Sequence, residues 1–337
     1  MSHLKLYSRL VPKMGAFGNY VLPMTFQKYR TKDVVINTRK PNYCSIFDAS
    51  HMGIFETTRG DLIEKHFLVN LEKYNNRSKL AVVLNDKGYV IDDIIIGDVD
   101  NSKYRLVVNA NTKDYFSNIE EFYEREKMTI AIQGDYSQNV VESIFSIKLD
   151  DLYFMENRTI KKDAIEICRC GYTGEDGFEL YLNNIEGKEI VEQLVDMSFT
   201  DNNILFGGLV ERDLLRLESG LCLSGTEFGG DLNIDFKALD MDFTIDLKYR
   251  KEYNFQSDYT RAGFINEKPI RKGKILNDSE EEIGFITSSN KSFNLNKFIG
   301  MGYIKKENID DKLKNDLKLV NLPFIKQNYY KNDYIIR

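Results

Sequence analysis

The sequence lacks tryptophan altogether and has only three histidines, His3, His51 and His66. The paired histidine ligands of an HExxH helix are therefore impossible, which argues strongly against a zinc hydrolase. The four cysteines fit neither a disulfide framework nor the paired CxxC spacing of a zinc site. We therefore expect that no metal or redox cofactor takes part in the function.

Long apolar runs and basic runs are also missing. No stretch approaches the ~20 apolar residues of a membrane span, and the N-terminus lacks the apolar core of a secretory signal and is no convincing transit peptide. The net charge is -6 at pH 7 without a basic cluster, so nucleic acid is not expected as a partner. These absences predict a soluble, intracellular protein with no membrane association, in a compartment where free cysteines persist.

The chain is 337 residues long, for which two or three domains are expected. Residues 80–96 predict a hairpin, and the element order β-α-β-β-β-α-β over 53–134 is typical of a split antiparallel α+β module. Residues 14–23 predict a glycine-rich loop, and short β-like runs after about residue 250 predict a small all-β region. The predicted helices later in the chain cover 112–127, 137–147, 185–198 and 208–218.

The stretch YVIDDIII at 89–96 is the most informative one for chemistry. Its β-branched residues favour a buried strand, and side-chain alternation places Asp92 and Asp93 on opposite faces. Neither carboxylate has a polar neighbour two residues away on its own face. At least one is therefore expected in an apolar setting, where its pKa is raised and it becomes a better proton acceptor. The alternative is an exposed strand end with both carboxylates solvated.

The stretch GYTGEDGFELYL at 171–182 predicts a hairpin turn with strands on both sides. Its glycines fit neither a P-loop nor a dinucleotide loop, so special backbone angles in a turn are the simpler explanation. Glu179 lies in the strand after the turn and shares a face with Gly177 and Tyr181. A buried carboxylate there can accept two parallel hydrogen bonds, which suits a guanidine or an aminopyrimidine edge such as that of a pterin.

Two further stretches leave two interpretations open. LVERDLLRLESGLCL at 209–223 predicts a helix on which Arg212 belongs either to a site or to a solvated face. ASHMG at 49–53 places His51 and Met52 beside a glycine, and a tight turn packed into the core is favoured there over catalysis.

Taken in order, these stretches resemble the glycine cleavage T-protein family, the tetrahydrofolate-dependent aminomethyltransferases, over nearly the whole chain. The stretches that carry the resemblance are MGAFGNYVLP, SIFDASHMG, NDKGYVIDDIII, RCGYTGEDGFEL, GLVERDLLRLESGLCLSG and FIGMGYI. RCGYTGEDGFEL matches the family pattern almost letter for letter. The ordered set is far more specific than any single motif.

The resemblance implies an α+β fold of three domains, arranged as a cloverleaf around a central folate channel. The first domain is discontinuous and comprises residues 1–47 and 135–245. The second is a ferredoxin-like α+β module at 48–134, and the third is a small β barrel or jelly roll at 250–337. The α+β module and the C-terminal β region predicted from the residue pattern agree with this arrangement.

The implied reaction moves a one-carbon unit from the S-aminomethyl-dihydrolipoyl arm of the H-protein to tetrahydrofolate, giving 5,10-methylene-tetrahydrofolate, ammonia and the reduced carrier. By position, the essential aspartate of the family falls on Asp93, which is implied to polarise or deprotonate the folate nitrogen that attacks the aminomethyl carbon. Glu179 matches the glutamate that grips the pterin. The remaining positions that match the folate pocket are Met52, Tyr172, Arg212 and Tyr329. The implied location is the mitochondrial matrix in a eukaryote and the cytoplasm in a bacterium.

The sequence also departs from the family pattern. Asp135 replaces a proline, Glu211 stands next to the pocket arginine in the sequence, Tyr20 stands where tryptophan is usual, and Gly97 stands where an aromatic residue sometimes occurs. The family's NxxPxEAGLxW region has become NIDFKALDMDF at 233–243. These departures are expected to affect folate affinity or the carrier channel.

Because one fold can support several functions, three alternatives are kept. The first is a folate-binding protein related to iron–sulfur assembly factors, whose KGCYxGQE-type motif is absent here. The second is a demethylase, a class often joined to a flavoprotein, although this chain has no dinucleotide fingerprint. The third is a degenerate scaffold that only binds the carrier, against which the joint presence of Asp93, Glu179, Tyr172 and Arg212 argues.

Overall fold

The computed structural model describes residues 2–73, 77–99, 103–162, 164–246, 249 and 257–330. Three large sheets and one hairpin, combined with six α-helices, organise these residues. The architecture is α+β, as predicted. Among the described residues, no helix is both long enough and apolar enough to cross a bilayer.

The largest sheet combines strands from distant parts of the chain. Its strands in spatial order are β10 (Asn157–Lys161), β11 (Ile165–Cys168), β12 (Gly177–Leu182), β9 (Met128–Gln133), β3 (Cys44–Asp48) and β13 (Ile204–Phe206). Neighbouring strands are antiparallel, except that β13 is parallel to β3. The predicted helices at 137–147 and 185–198 are α4 (Ser137–Phe145) and α5 (Asn184–Thr200), and both contribute apolar residues to the core beside this sheet.

The second sheet carries the aspartate pair. Its strands in spatial order are β5 (Ser78–Leu84), β6 (Val90–Asp98), β7 (Tyr104–Val108), β4 (Gly53–Thr57) and β8 (Tyr123–Glu124), all antiparallel. The predicted hairpin is formed by β5 and β6, and Gly88 in its turn has a φ of 80° that favours glycine. Helix α2 (Gly60–Phe67) packs Ile63 and Phe67 into the same core.

The C-terminal β region is confirmed within the described residues. Its sheet contains β15 (Gly273–Leu276), β16 (Glu282–Ser292), β17 (Lys297–Lys305), β14 (Tyr259–Asn266) and β18 (Lys318–Val320). Helix α6 (Leu209–Glu218), predicted at 208–218, lies against it, because Arg216 donates from Nη2 to Ser288 Oγ at 2.8 Å. Helix α1 covers Thr31–Thr38, and the described residues also form the 3-10 segments Ser2–Leu10, Leu71–Lys73, Asp242–Thr244, Lys306–Asn308 and Lys314–Asp316.

The helix predicted over 112–127 is wrong. The structure has a single short helix there, α3 (Lys113–Ser117), and the chain then reverses through Glu121, whose φ of 68° is left-handed. Tyr123–Glu124 instead pairs with β4 as an edge strand. Phe116 and Phe122 are both buried in the core of this sheet, so strand pairing and burial outweigh helix propensity in this segment.

The loop predicted over 14–23 is also wrong. Residues on both sides of Gly18 form an antiparallel hairpin, β1 (Pro12–Phe17) and β2 (Tyr20–Phe26), and Gly18 takes a φ of 54° in the turn. The tip of this hairpin, with Phe17 and Tyr20, lines the central cavity described below.

The division into three domains stays a prediction. The strand pairing bears on one boundary, because β9 at 128–133 lies between β3 and β12 in the six-stranded sheet. The segment predicted to close the second domain therefore contributes its last strand to the sheet of the discontinuous first domain.

Candidate active site

A single cavity of about 1910 Å³ is lined by residues from all three large sheets, from the β1–β2 hairpin and from α6. All of the site residues expected from the sequence lie on its wall: Met52, Asp93, Tyr172, Glu179, Arg212 and Tyr329. Pockets for small ligands usually enclose about 300–1,000 Å³. The cavity can therefore hold more than one substrate-sized group.

Asp92 and Asp93 occupy different environments on β6. Asp92 is fully buried, and its carboxylate accepts hydrogen bonds from Thr112 Oγ1 at 2.5 Å and from Asn109 Nδ2 at 2.7 Å. Asp93 opens on the cavity and accepts a hydrogen bond from the same Asn109 Nδ2 at 2.9 Å. Only Asp93 can therefore reach a group bound in the cavity.

The setting of Asp93 makes its carboxylate more basic than usual. Burial raises its pKa, and the negative charge of Asp92 raises it further, while the hydrogen bond from Asn109 opposes part of this rise. Burial also raises the pKa of Asp92, although the donors Thr112 and Asn109 stabilise its charged form. A carboxylate of raised pKa at a cavity wall is suited to accept a proton near neutral pH.

Glu179 lies in the middle of β12, between Cys168 on one neighbouring strand and Ala131 on the other. Its side chain is largely buried yet lines the cavity. The Tyr181 hydroxyl donates to Glu179 Oε2 at 2.8 Å, and this is the one hydrogen bond to the Glu179 carboxylate among the described residues. Acceptor capacity on this carboxylate is thus left for a donor in the cavity.

Arg212 and Tyr172 form one wall together. The Arg212 guanidinium lies over the Tyr172 ring, with Cζ 4.6 Å from the ring centroid. The Tyr172 hydroxyl donates to the backbone carbonyl of Cys222, which fixes the ring, and burial raises the pKa of this phenol. The site therefore presents a cation on an aromatic face rather than on a solvated helix surface.

Tyr329 reaches the cavity from the C-terminal segment. Its ring stacks on Phe154, with centroids 4.3 Å apart and an angle of 23° between the planes. The neighbouring residue Asn328 donates from its backbone N–H to the Gly174 carbonyl at 2.7 Å, which ties this segment to the 171–177 turn. Met52 contributes a half-buried thioether to the wall, close in sequence to the buried His51.

Among the wall residues that were not singled out as site residues from the sequence, three lie close to the predicted ones or touch them. Asn109 follows β7 and carries no motif of its own, and Phe154 lies in an irregular segment with no periodicity. His51, expected to pack in a turn, is indeed buried with its ring 5.3 Å from that of Phe17, but it also lines the cavity. Only the folded chain brings them beside the predicted residues.

Glu211 directly precedes the pocket arginine in the sequence, but its side chain is held away from the cavity. Its carboxylate accepts hydrogen bonds from the Gly208 backbone N–H at 2.8 Å and from Thr31 Oγ1 at 2.5 Å, and it is 1% exposed. It therefore caps the N-terminus of α6, where a negative charge is favourable. The cavity wall does not include it.

The other departures have different consequences. Asp135 is exposed outside the cavity and accepts a hydrogen bond from the Asn42 backbone N–H at 2.7 Å. Gly97 leaves room for a buried arginine, because a Cβ there would lie 2.6 Å from Arg105 Nη2. Within 233–243, Asp240, Met241 and Phe243 line the cavity, and Tyr20 lines it as well, so these two departures are the ones that change its wall.

Comparison with known proteins places the chain in a family. Residues 5–249 match the GCVT N-terminal domain, and residues 260–321 match the glycine cleavage T-protein C-terminal barrel domain. The chain is 29% identical to the mitochondrial aminomethyltransferase of Pisum sativum over 95% of this chain and 87% of that protein. It is 30% identical to the aminomethyltransferase of Staphylococcus carnosus over 90% of each.

The fold agrees with this match. The crystal structure of glycine cleavage system aminomethyltransferase T from Bartonella henselae superposes with a TM-score of 0.84 at 24% identity, covering 97% of this chain and 98% of that one. With both domain families matched in order along most of its length, the chain belongs to the glycine cleavage T-protein family.

Proposed function

We propose that the chain transfers the one-carbon unit of an S-aminomethyl-dihydrolipoyl arm, carried by the H-protein, to tetrahydrofolate. The products are 5,10-methylene-tetrahydrofolate, ammonia and the dihydrolipoyl carrier. The methylene carbon loses its bonds to sulfur and nitrogen and gains two bonds to folate nitrogens. The two hydrogens that leave the folate nitrogens end on the ammonia and on the thiol, so the reaction needs no oxidant.

The observation that carries this proposal is the placement of Asp93 and Glu179 on the wall of one cavity. Glu179 keeps acceptor capacity for the amino and ring N–H donors of a pterin, and hydrogen bonds to a charged acceptor are the strong ones. Asp93 provides the basic carboxylate that the chemistry needs. A site that only bound folate through Glu179 would have no use for Asp93, whose carboxylate has a raised pKa.

Asp93 accepts the proton of the folate nitrogen as that nitrogen attacks the methylene carbon. Asn109 holds the carboxylate in place through its 2.9 Å hydrogen bond. General-base help of this kind contributes roughly 100- to 10,000-fold. Arg212, Tyr172, Met52 and Tyr329 supply the cation and the apolar and aromatic surfaces that hold the rest of the folate.

The size of the cavity supports a protein-borne second substrate. At about 1910 Å³ it leaves space beside a folate for the end of a lipoyl arm. A tethered arm raises the effective concentration of its reactive end, so docking of the carrier body can be weak. Free dihydrolipoamide with formaldehyde and ammonia should therefore be a much poorer substrate than the lipoylated protein at equal concentration.

The decisive experiment measures ammonia release from aminomethyl-lipoyl H-protein with and without tetrahydrofolate. The proposal predicts release that depends on folate, with Asp93→Asn as the matched inactive control. Folate binding without ammonia release would instead favour a non-catalytic folate- or carrier-binding protein. Turnover of an N-methylated amine in place of the carrier would favour the demethylase.

A further inference from the structure

Tyr181, which donates a hydrogen bond to Glu179, is itself held by neighbours on more than one side. Tyr181 lies two positions after Glu179 on β12, so that both side chains point to the same face of the sheet. Its hydroxyl donates to Glu179 Oε2 at 2.8 Å, and the tyrosine is fully buried. A buried phenol that donates to a carboxylate stabilises the charged form and restricts its rotation.

The Tyr181 ring rests on a buried cation. Arg105 Cζ lies 3.8 Å from the ring centroid, and this arginine is 0% exposed. Its guanidinium is paired with the buried carboxylate of Glu166 and donates to Asn157 Oδ1 at 3.1 Å. A desolvated cation on an aromatic face is a favourable contact, so it holds the ring in one position.

Space for this arginine comes from a departure in the sequence. Gly97 lies next to Arg105 in the pairing of β6 with β7, and a Cβ at Gly97 would lie 2.6 Å from Arg105 Nη2 and 3.1 Å from Ser78 Oγ. An aromatic side chain at 97 could not coexist with this placement of the guanidinium. Gly97, Arg105 and Tyr181 therefore form a chain of contacts that ends at Glu179, which lines the cavity.

We propose that Tyr181 is a positioning residue that sets the orientation of Glu179 for ligand binding, with Arg105 and Gly97 as its support. The hydroxyl of Tyr181 donates to Oε2 and so fixes the rotation of the carboxylate. The acceptor positions that are left then face the cavity. This inference rests on the proposed function, since it takes tetrahydrofolate as the ligand of Glu179. Tyr181 would then affect the affinity and specificity of ligand binding and not the chemical step.

The test is calorimetric titration of Tyr181→Phe with tetrahydrofolate under anaerobic conditions. The substitution keeps the ring on Arg105 and removes only the donor. The Kd for tetrahydrofolate should rise about tenfold, as expected for loss of one hydrogen bond to a charged group. The folate KM should rise in parallel, while kcat stays within about twofold. A partly unfolded sample would lower kcat and the binding stoichiometry but would leave Kd unchanged.

Tyr7→Phe is the matched control. Tyr7 is also a buried tyrosine that donates to a carboxylate, at 3.0 Å from Asp48 Oδ2, but neither residue lies on the cavity wall. This variant should bind tetrahydrofolate like the parent protein. When Glu179 is already replaced by Gln, the additional substitution Tyr181→Phe should raise Kd less than about twofold. The effects of two substitutions are not additive when both residues act through the same contact.

The outcomes separate the two proposals. If the parent protein binds tetrahydrofolate and Tyr181→Phe binds it equally well, the positioning role is refuted and the proposed function stands. Full additivity of the two substitutions would also refute it, since Tyr181 would then act independently of Glu179. If the parent protein does not bind tetrahydrofolate, both the proposed function and this inference fail.

Discussion

The side-chain amide of Asn109 donates to Asp93 Oδ1 at 2.9 Å, from the end of the strand next to the one that carries the aspartate. The same amide nitrogen donates to Asp92 Oδ1 at 2.7 Å. One asparagine thus links a carboxylate of the buried core to a carboxylate of the cavity. The two carboxylates share this donor, yet only Asp93 is in a position to meet a substrate.

Substitution of each aspartate by asparagine should separate their roles. Asp93→Asn retains the shape and an acceptor for Asn109 but removes the base, so kcat should fall at least ~100-fold with the free energy of unfolding little changed. In Asp92→Asn the new side chain has one acceptor oxygen fewer for the donors Thr112 and Asn109. It should cost about 1–3 kcal/mol of stability and much less turnover. Steady-state kinetics and denaturant unfolding check this, and equal losses of turnover would contradict the assignment.

The pH dependence of kcat/KM should report the raised pKa of Asp93. The base works in its deprotonated form, so activity falls as the pH drops through that pKa. The acid limb should therefore lie well above the ordinary aspartate value of about 3.9. In Asp92→Asn the neighbouring negative charge is gone, the pKa of Asp93 falls, and the acid limb should move to lower pH. An acid limb that stays in place in this variant would show that Asp92 does not influence the base.

Parts of this fold could be predicted from the sequence because their signals are local. The β5–β6 hairpin follows from alternation and a turn that ends in Gly88, and α6 follows from helical periodicity. The segment 112–127 could not be predicted in this way. Its helix-like periodicity is overridden by the pairing of Tyr123–Glu124 with β4, a contact between residues far apart in sequence.

The site also combines residues with a local signal and residues that only contacts between distant segments bring together. Alternation along a buried strand was enough to single out the aspartate pair and Glu179. The other predicted residues depend on the family resemblance, because a helix face, a turn and a terminal segment carry no chemical signal alone. These residues are Arg212, Tyr172, Met52 and Tyr329. Asn109 and Phe154 were missed, since their roles exist only once separate elements meet at the cavity.

The capping role of Glu211 predicts a variant that affects stability alone. Glu211→Ala leaves the Gly208 N–H and the Thr31 hydroxyl without their buried acceptor. It should lower the free energy of unfolding by about 1–3 kcal/mol, with the folate KM unchanged because the residue does not line the cavity. Denaturant unfolding and steady-state kinetics on one preparation test this. A several-fold change in folate KM would place Glu211 in the binding site after all.

Glu179→Gln should weaken folate binding by about ten- to a hundredfold, because it replaces a charged acceptor by a neutral one and adds a misplaced donor. Glu175→Gln offers a matched control within the same motif. Glu175 is also a buried carboxylate, but it pairs with Arg39 at 2.7 Å and does not line the cavity. Its variant should lose stability and keep its affinity for tetrahydrofolate. Calorimetric titration of both variants distinguishes recognition of the ligand by Glu179 from a general need for carboxylates near the 171–177 turn, and equal losses of affinity would favour the latter.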